Sequence, residues 1–139
     1  MKENKIGLAA VLLKNNQILL VEDSRPEVRG FWGPPHGVIS LDEETEEEGL
    51  KRKTLQEIGV EIIPIKKIFT DRADTKTKDI NFWLIELKED KPLKIEKRGN
   101  LSFGWFSLDE ALQLKSFTAT KKFFELVKKK TIDINLTSN

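Results

Sequence analysis

Residues Gly37 to Val60 read GVISLDEETEEEGLKRKTLQEIGV, and the reading of this stretch decides the fold. Thr45 can cap the free amides of a helix start, and Glu48 three residues later completes a capping box. Glu46 and Glu47 complement the positive end of the helix dipole. Gly59 is a stop signal, suited to the left-handed residue that ends a helix. The stretch predicts a helix that starts near Thr45 and stops at Gly59. An α-helix turns about 100° per residue, so positions 53, 56 and 57 fall within roughly 100° of one another. Leu50, Thr54 and Ile58 share a neighbouring face, expected to pack against a sheet.

Upstream, Ile6 to Leu13 (IGLAAVLL) and Gln17 to Glu22 (QILLVE) are apolar runs around Lys14-Asn15-Asn16, the pattern of a hairpin. Asp23 to Gly37 is loop chemistry, with Pro26, Gly30, Gly33, Pro34, Pro35 and Gly37; so long a Gly/Pro-rich segment in a compact domain usually serves function. Downstream, Val60 to Phe69 reads as a strand interrupted at Pro64. Asp79 to Leu87 (DINFWLIEL) and Leu101 to Phe106 read as two more. Leu108 to Leu114 and Ala119 to Lys129 read as helices, the second with Phe123, Phe124 and Val127 on one side. Strands with one helix among them, then helices, predict an α+β domain layered α/β/α around a mixed sheet. The 139 residues are expected to form one domain. The last eight or so are expected to be a flexible tail, as chain ends commonly are.

Charge is abundant and balanced, with 24 Lys+Arg against 23 Asp+Glu. A net charge of +1 supplies no overall field to hold long nucleic acid. Two runs break the balance: residues 42–48 (DEETEEE) are acidic, and Lys128-Lys129-Lys130 makes the C-terminal end basic. Solvated helix surface is the plain reading of each. No Cys is present, and no apolar run is long enough to span a membrane. Cytoplasmic residence, with no membrane partner, is the expectation.

Four features now line up: a hairpin, a Trp-containing Gly/Pro loop, a Glu-rich helix closed by Gly-Val, and a Trp-Phe before terminal helices. Together they resemble the Nudix family, whose signature is G-x5-E-x7-R-E-U-x-E-E-x-G-U, U being a bulky aliphatic residue. Gly59-Val60 match its last two positions and Glu57 the second Glu of its pair. Gln56 stands where the first belongs. Arg52 matches the Arg, Lys53 replaces the Glu beside it, and Thr54 fills the aliphatic position. The upstream Glu is Glu44 counted from Arg52 but Glu43 counted from Gly37, so the span is one residue longer than the pattern. The extra residue is expected in the turn around Val38 to Asp42. Phe31-Trp32-Gly33-Pro34-Pro35-His36-Gly37 is similar to the family's W-x-x-P-G-G run, in the Pro-Pro-x-Gly form of dinucleoside polyphosphate hydrolases. Gly104-Trp105-Phe106-Ser107-Leu108-Asp109-Glu110-Ala111 is similar to its closing segment.

The resemblance implies water attack on a phosphoanhydride of a nucleoside diphosphate linked to another group, with Mg²⁺ or Mn²⁺ offsetting the oxygen charge. It implies catalytic roles for Glu57, Glu44 and Arg52. It also implies metal ligation by Glu57, the Gly37 main chain and Glu44. Hard divalent cations want oxygen ligands, and three carboxylates at 53, 56 and 57 would supply them. Here that triplet is Lys53, Gln56 and Glu57, and its formal charge moves from −3 to zero. Lys53 and Glu57 lie one turn apart, the spacing of a direct ion pair, with the ammonium expected where a metal would otherwise sit.

Other residues carry a sharp reading beside a plain one. Glu44 with Arg52 is expected to brace the loop against the helix, since an Arg fork suits a carboxylate. Glu46 could help hold a metal, although the helix dipole explains it more simply. His36, the one His, could be a base or ligand, but a polar turn residue is the plainer reading. Arg25 and Arg29 could grip phosphates, or be solvated loop charge. Trp32, Phe82 or Trp83 could stack a base; alternation puts Phe82 and Trp83 on opposite faces, so at most one of those two can. Trp105 is expected in the core, and Glu96 could add a downstream carboxylate. Two functions stay open: a metal-dependent pyrophosphohydrolase altered by Lys53 and Gln56, or a module that binds a nucleotide or protein partner without cleaving it. Many family members dimerise, so a homodimer is a further implication, with no interface legible.

Overall fold

Apolar alternation along the first strand builds two cores, one on each face of a sheet. The computed structural model of the chain describes residues 4–23, 25–72, 79–95 and 100–137. In chain order the strands are β1 (Lys5–Lys14), β2 (Gln17–Asp23), β3 (Trp32–Gly33), β4 (His36–Ser40), β5 (Ile62–Arg72), β6 (Asp79–Leu87) and β7 (Asn100–Phe106). The helices are α1 (Glu46–Ile58), between β4 and β5, then α2 (Leu108–Gln113) and α3 (Thr118–Lys128). Ala9 and Val11 of β1 face a core made with Phe82, Leu108, Phe123, Phe124 and Val127. Leu8, Ala10 and Leu12 face the opposite core, with Leu50, Ile58, Ile62, Trp83 and Ile85. The sheet therefore lies between α1 and the α2–α3 pair, the expected α/β/α layering.

The sheet is mixed, and β1 is its hub. β1 runs parallel to β6 and antiparallel to β4, β6 pairs with β5, and β2 carries β3 and β7. The expected β1–β2 hairpin exists, but its pairing is confined to Leu13↔Ile18 and Lys14↔Gln17. Asn15 (φ 52°) and Asn16 (φ 59°) supply the left-handed backbone that a two-residue hairpin turn needs. Beyond the turn β1 leaves β2 for β4 and β6. The segment expected as loop from Asp23 to Gly37 holds β3 and the start of β4; β4 is strand because β1 pairs with it from Lys5↔Ser40 to Ala9↔His36. The ladder of β5 slips at Pro64, the expected point of interruption.

The expected flexible tail is corrected for the residues up to Thr137. Ile134 and Leu136 are buried in the core beside α3. The Asn16 side chain accepts from the Thr137 main-chain N–H at 2.8 Å and donates to its carbonyl at 3.2 Å. Among the described residues no helix is long and apolar enough to cross a membrane.

Candidate active site

Local sequence fixes α1 in place. Thr45 Oγ1 accepts from the Glu48 N–H at 3.1 Å, and Glu48 accepts from the Thr45 N–H at 2.9 Å, the expected capping box. Gly59 ends the helix at φ 72°. Leu50, Thr54 and Ile58 are buried, as their spacing requires. Gly49 brings the helix close to β4: a Cβ there would meet Ile39 Cγ2 at 2.7 Å. This contact seats α1 beside the strand that begins at His36.

Arg52 grips Glu44 with a two-pronged pair: Nε donates to Oε1 at 3.1 Å and Nη2 donates to Oε2. The Arg52 hydrogen bond holds the Glu44 carboxyl below its ordinary value. Glu44, not Glu43, is therefore the partner of the box arginine. The turn before it absorbs the extra residue, with the Glu43 and Glu44 N–H groups both donating to the Ser40 carbonyl at 3.0 and 3.2 Å.

Glu46 does something that neither sequence reading covered. Its Oε1 accepts from Asn81 Nδ2 at 2.7 Å and from Trp83 Nε1 at 3.0 Å. Its Oε2 accepts from Lys67 Nζ at 2.8 Å. Burial works against its ionisation, but the bonds from Lys67, Trp83 and Asn81 win and lower its pKa. Glu46 thus ties the start of α1 to β5 and β6, with both oxygens occupied. A metal-holding role for it is withdrawn.

The remaining box residues meet His36 in one narrow crevice between α1 and β4, lined among others by Pro35, His36, Gly37, Lys53 and Glu57. The Lys53 stem lies over Gly37, where a Cβ would stand 3.0 Å from Lys53 Cδ and 3.2 Å from Cε. The expected Lys53–Glu57 pair does not form: no ion pair within 4.0 Å joins them, because the Lys53 stem leans across Gly37 rather than along the helix. Glu57 is half-buried, and burial raises its pKa; the charges of His36 and Lys53 and the His36 main-chain N–H offset this only in part.

Behind the crevice stands Asp23, a residue the sequence reading passed over. Its side chain is 5 % exposed. Arg25 donates to both its oxygens, Nε at 3.0 and 3.1 Å and Nη2 at 2.7 Å. His36 Nε2 stands 3.5 Å from Asp23 Oδ2, while His36 Nδ1 lies 3.0 Å from the Pro34 carbonyl. Burial would raise the Asp23 carboxyl, yet the His36 and Arg25 hydrogen bonds hold it well below the usual carboxylate range. Burial would lower His36, but the bonds to Asp23 and the Pro34 carbonyl and the charge on Glu57 raise it. A signal was present in the sequence. Asp23 continues the alternation of buried Leu19 and Val21, so it places a carboxylate on an apolar face two residues before an Arg.

The proposed substrate contacts fare unevenly. Phe82 is 0 % exposed and stacked 4.9 Å from Phe123, so it cannot stack a base; its side of β6 faces α3. Trp83 is buried against α1, its N–H taken by Glu46. Trp32 packs edge-on against Phe106 at 5.2 Å and rims the first core. Trp105 packs against the second core, as expected. Arg25 is engaged with Asp23, while Arg29 is exposed. Glu96 lies outside the described residues.

The described residues do not by themselves fit an Mg²⁺ or Mn²⁺ centre. Among the described residues no group of three or more Asp, Glu or His side chains is arranged to hold a metal ion. Glu44 is taken by Arg52, Gln56 is exposed, and the box position 53 holds a lysine in place of a carboxylate. Such cations need several oxygen ligands.

The chain is 30 % identical over 97 residues to the rat bis(5'-nucleosyl)-tetraphosphatase (asymmetrical), a match covering 65 % of either chain. It therefore spans just under two thirds of that relative's length. Its fold is similar to the crystal structure of a MutT protein from Methanosarcina mazei (TM-score 0.73, 21 % identity, 94 % of this chain and 96 % of that one). It is also similar to an ADP-ribose pyrophosphatase from Streptococcus suis (TM-score 0.65, 18 % identity, 88 % and 85 %). The NUDIX domain model matches residues 4–127. A match of that extent, on a sheet held between α1 and the α2–α3 pair, settles the family: the chain belongs to the Nudix family.

Proposed function

We propose that this chain is a pyrophosphohydrolase that cleaves the phosphoanhydride of a nucleoside diphosphate linked to another moiety, more slowly than members with a full set of box carboxylates. The observation that carries the reading is the crevice where Gly37, Lys53 and Glu57 meet, braced by the Arg52–Glu44 fork. The names of the rat relative and the S. suis structure support a nucleoside phosphate as substrate. We assign the proton of the attacking water to Glu57, whose carboxyl burial pushes toward the range a general base needs. Water adds at phosphorus, its proton passes to Glu57, and the bridging P–O bond breaks, leaving the displaced phosphate with the charge. Lys53 offsets charge on the phosphoryl oxygens, and Arg52 positions the loop. The Mg²⁺ or Mn²⁺ of other family members enters no step here, because the described side chains do not make its site. The substrate is a small nucleotide derivative in the cytoplasm rather than long nucleic acid.

A panel of nucleoside triphosphates, nucleotide sugars, ADP-ribose and dinucleoside polyphosphates tests this, with Mg²⁺, with Mn²⁺ and with EDTA. Product release by the wild type, reduced about 100-fold or more in Glu57→Gln, is expected for loss of a general base. Absence of turnover across the panel would sink the hydrolase reading. Binding seen by thermal shift without turnover would then favour a non-hydrolytic nucleotide module, a second reading supported by the fixed cation at position 53.

A further inference from the structure

We propose that Phe103 is the residue on which the nucleobase of the substrate stacks, with the phosphates lying toward Glu57. The proposal rests on the reading above for the class of substrate, a nucleotide, and assigns the end of it that the box residues do not reach.

Elimination is the first support. The chain has eight Phe, three Trp and no Tyr, and all of these rings but one are buried or half-buried. Trp32, Phe82, Trp83 and Trp105 are packed as described above. Phe31 and Phe117 lie against each other at 5.0 Å, with Lys115 Nζ 4.6 Å over the Phe31 ring. Phe103 is the exception, 48 % exposed.

Placement is the second. Phe103 pairs with Val21 across the β2–β7 ladder, so the two share a face. That face is the α1 side of the sheet. Trp105, two residues on, packs on the second core, while Ser102, one residue back, points the other way and donates to Glu22 at 3.1 Å. Asp23 follows Val21 on the same face, which puts the Phe103 and Asp23 Cβ atoms about 7 to 8 Å apart, the separation of diagonal cross-strand neighbours. Asp23 meets His36, and His36 gives its main-chain N–H to Glu57. Phe103 and Glu57 are thus linked through Asp23 and His36 alone. The helix packs chiefly on β1, β4 and β5, so it leaves the β7 part of this face uncovered.

A flat ring on a paired strand is a platform for stacking. Two dihedral angles hold it, so little freedom is lost when a base settles on it. Every base has a π face, and a Phe ring has no hydrogen-bonding group with which to read a base edge. The site should therefore accept all four common bases and favour the larger purine face.

Isothermal titration of the full chain with the α,β-methylene analogues of ADP, GDP, CDP and UDP tests the idea, since these resist hydrolysis. Methylenediphosphonate is the base-free control, and Mg²⁺ is present throughout. The wild type should bind the nucleotide analogues more tightly than the control. Phe103→Ala should weaken them about tenfold, the scale of one base–aromatic stack, and leave the control unchanged. Phe103→Tyr should restore the affinity. In protein labelled at the Phe rings, the Phe103 resonances, identified by their loss in Phe103→Ala, should move upfield on addition of the ADP analogue. Circular dichroism checks that each variant is folded. Four results would overturn the proposal: no binding of any analogue by the wild type, affinity indifferent to Phe103→Ala, analogues and control weakened alike, or Phe103 resonances unmoved at saturation. A wild-type dimer that light scattering shows to be monomeric as Phe103→Ala would also overturn it, giving the ring to a second copy of the chain. Its fate is separable from that of the hydrolase reading. Stacking without turnover on the panel upholds this proposal and removes that reading, whereas turnover with kcat and KM unchanged in Phe103→Ala does the reverse.

Discussion

The two halves of α1 carry comparable charge and use it differently. At the N-terminal end each carboxylate of the capping and bracing set has partners inside the fold: Glu48 caps Thr45, Glu46 gathers three donors, and Glu44 just before the helix holds Arg52. Toward the C-terminal end Lys53 and Gln56 have no hydrogen-bond or ion-pair partner among the described residues, and Glu57 has the His36 main-chain N–H with the charges of His36 and Lys53 nearby. The difference separates charges that hold the helix from charges that the described side chains leave unengaged.

The largest test of the contrast is Glu46→Ala. It strands Asn81 and Trp83, which are 7 % and 8 % exposed, and frees Lys67. Leaving buried donors without an acceptor costs about 3 kcal/mol in total here, from typical penalties per group. Urea unfolding should show that loss, with the slope unchanged. A loss below about 1 kcal/mol would mean that water replaces the carboxylate and that the N-terminal half is not the anchored one.

The support for the second half comes from behind it, through Asp23, and its signature is a pH dependence. The Asp23 carboxyl is held below its ordinary value, so its contribution to stability is full above about pH 4 and is lost as pH falls from there. His36 is raised, so its contribution is full below about pH 6.5 and is lost as pH rises through its folded value. The melting temperature should therefore fall off on both sides of a mildly acidic optimum. Asp23→Asn should flatten both limbs and cost about 2 kcal/mol at the optimum, the scale of one strongly shifted carboxylate. A variant whose profile keeps the wild-type acid limb would show that Asp23 is not the group titrating.

Much of this was legible in the sequence for a physical reason that differs from element to element. The capping box and the Gly59 stop are local, so Thr45, Glu48 and Gly59 announce α1 with no help from the rest of the chain. Asp79–Leu87 alternates cleanly and matches β6 residue for residue. Alternation also separated Phe82 from Trp83, but could not say which side faces α3 and which faces α1. β4 was missed because Pro35 and Gly37 read as loop, and only the β1 partner makes it strand. The Asp23–His36 contact was invisible for a similar reason: the pairing of β2 with β3, Val21↔Gly33 and Glu22↔Trp32, brings the end of β2 beside the chain that leads into β4. The expected Lys53–Glu57 pair followed the helix spacing correctly and failed on a neighbour outside the helix, Gly37.

Glu57→Gln carries the smallest expected effect on stability and the sharpest meaning. Burial raises the Glu57 carboxyl, so the fold disfavours its charged form. Replacing it with an uncharged side chain of the same shape removes that cost, and stability should change by less than about 0.5 kcal/mol or rise slightly. The same change should remove most of any hydrolysis. A residue that is dispensable to the fold and indispensable to turnover is what the unpartnered half of α1 is expected to contain. If Glu57→Gln instead destabilised the chain as much as Glu46→Ala, Glu57 would be a structural carboxylate like Glu46, and the division between the two halves of the helix would fail.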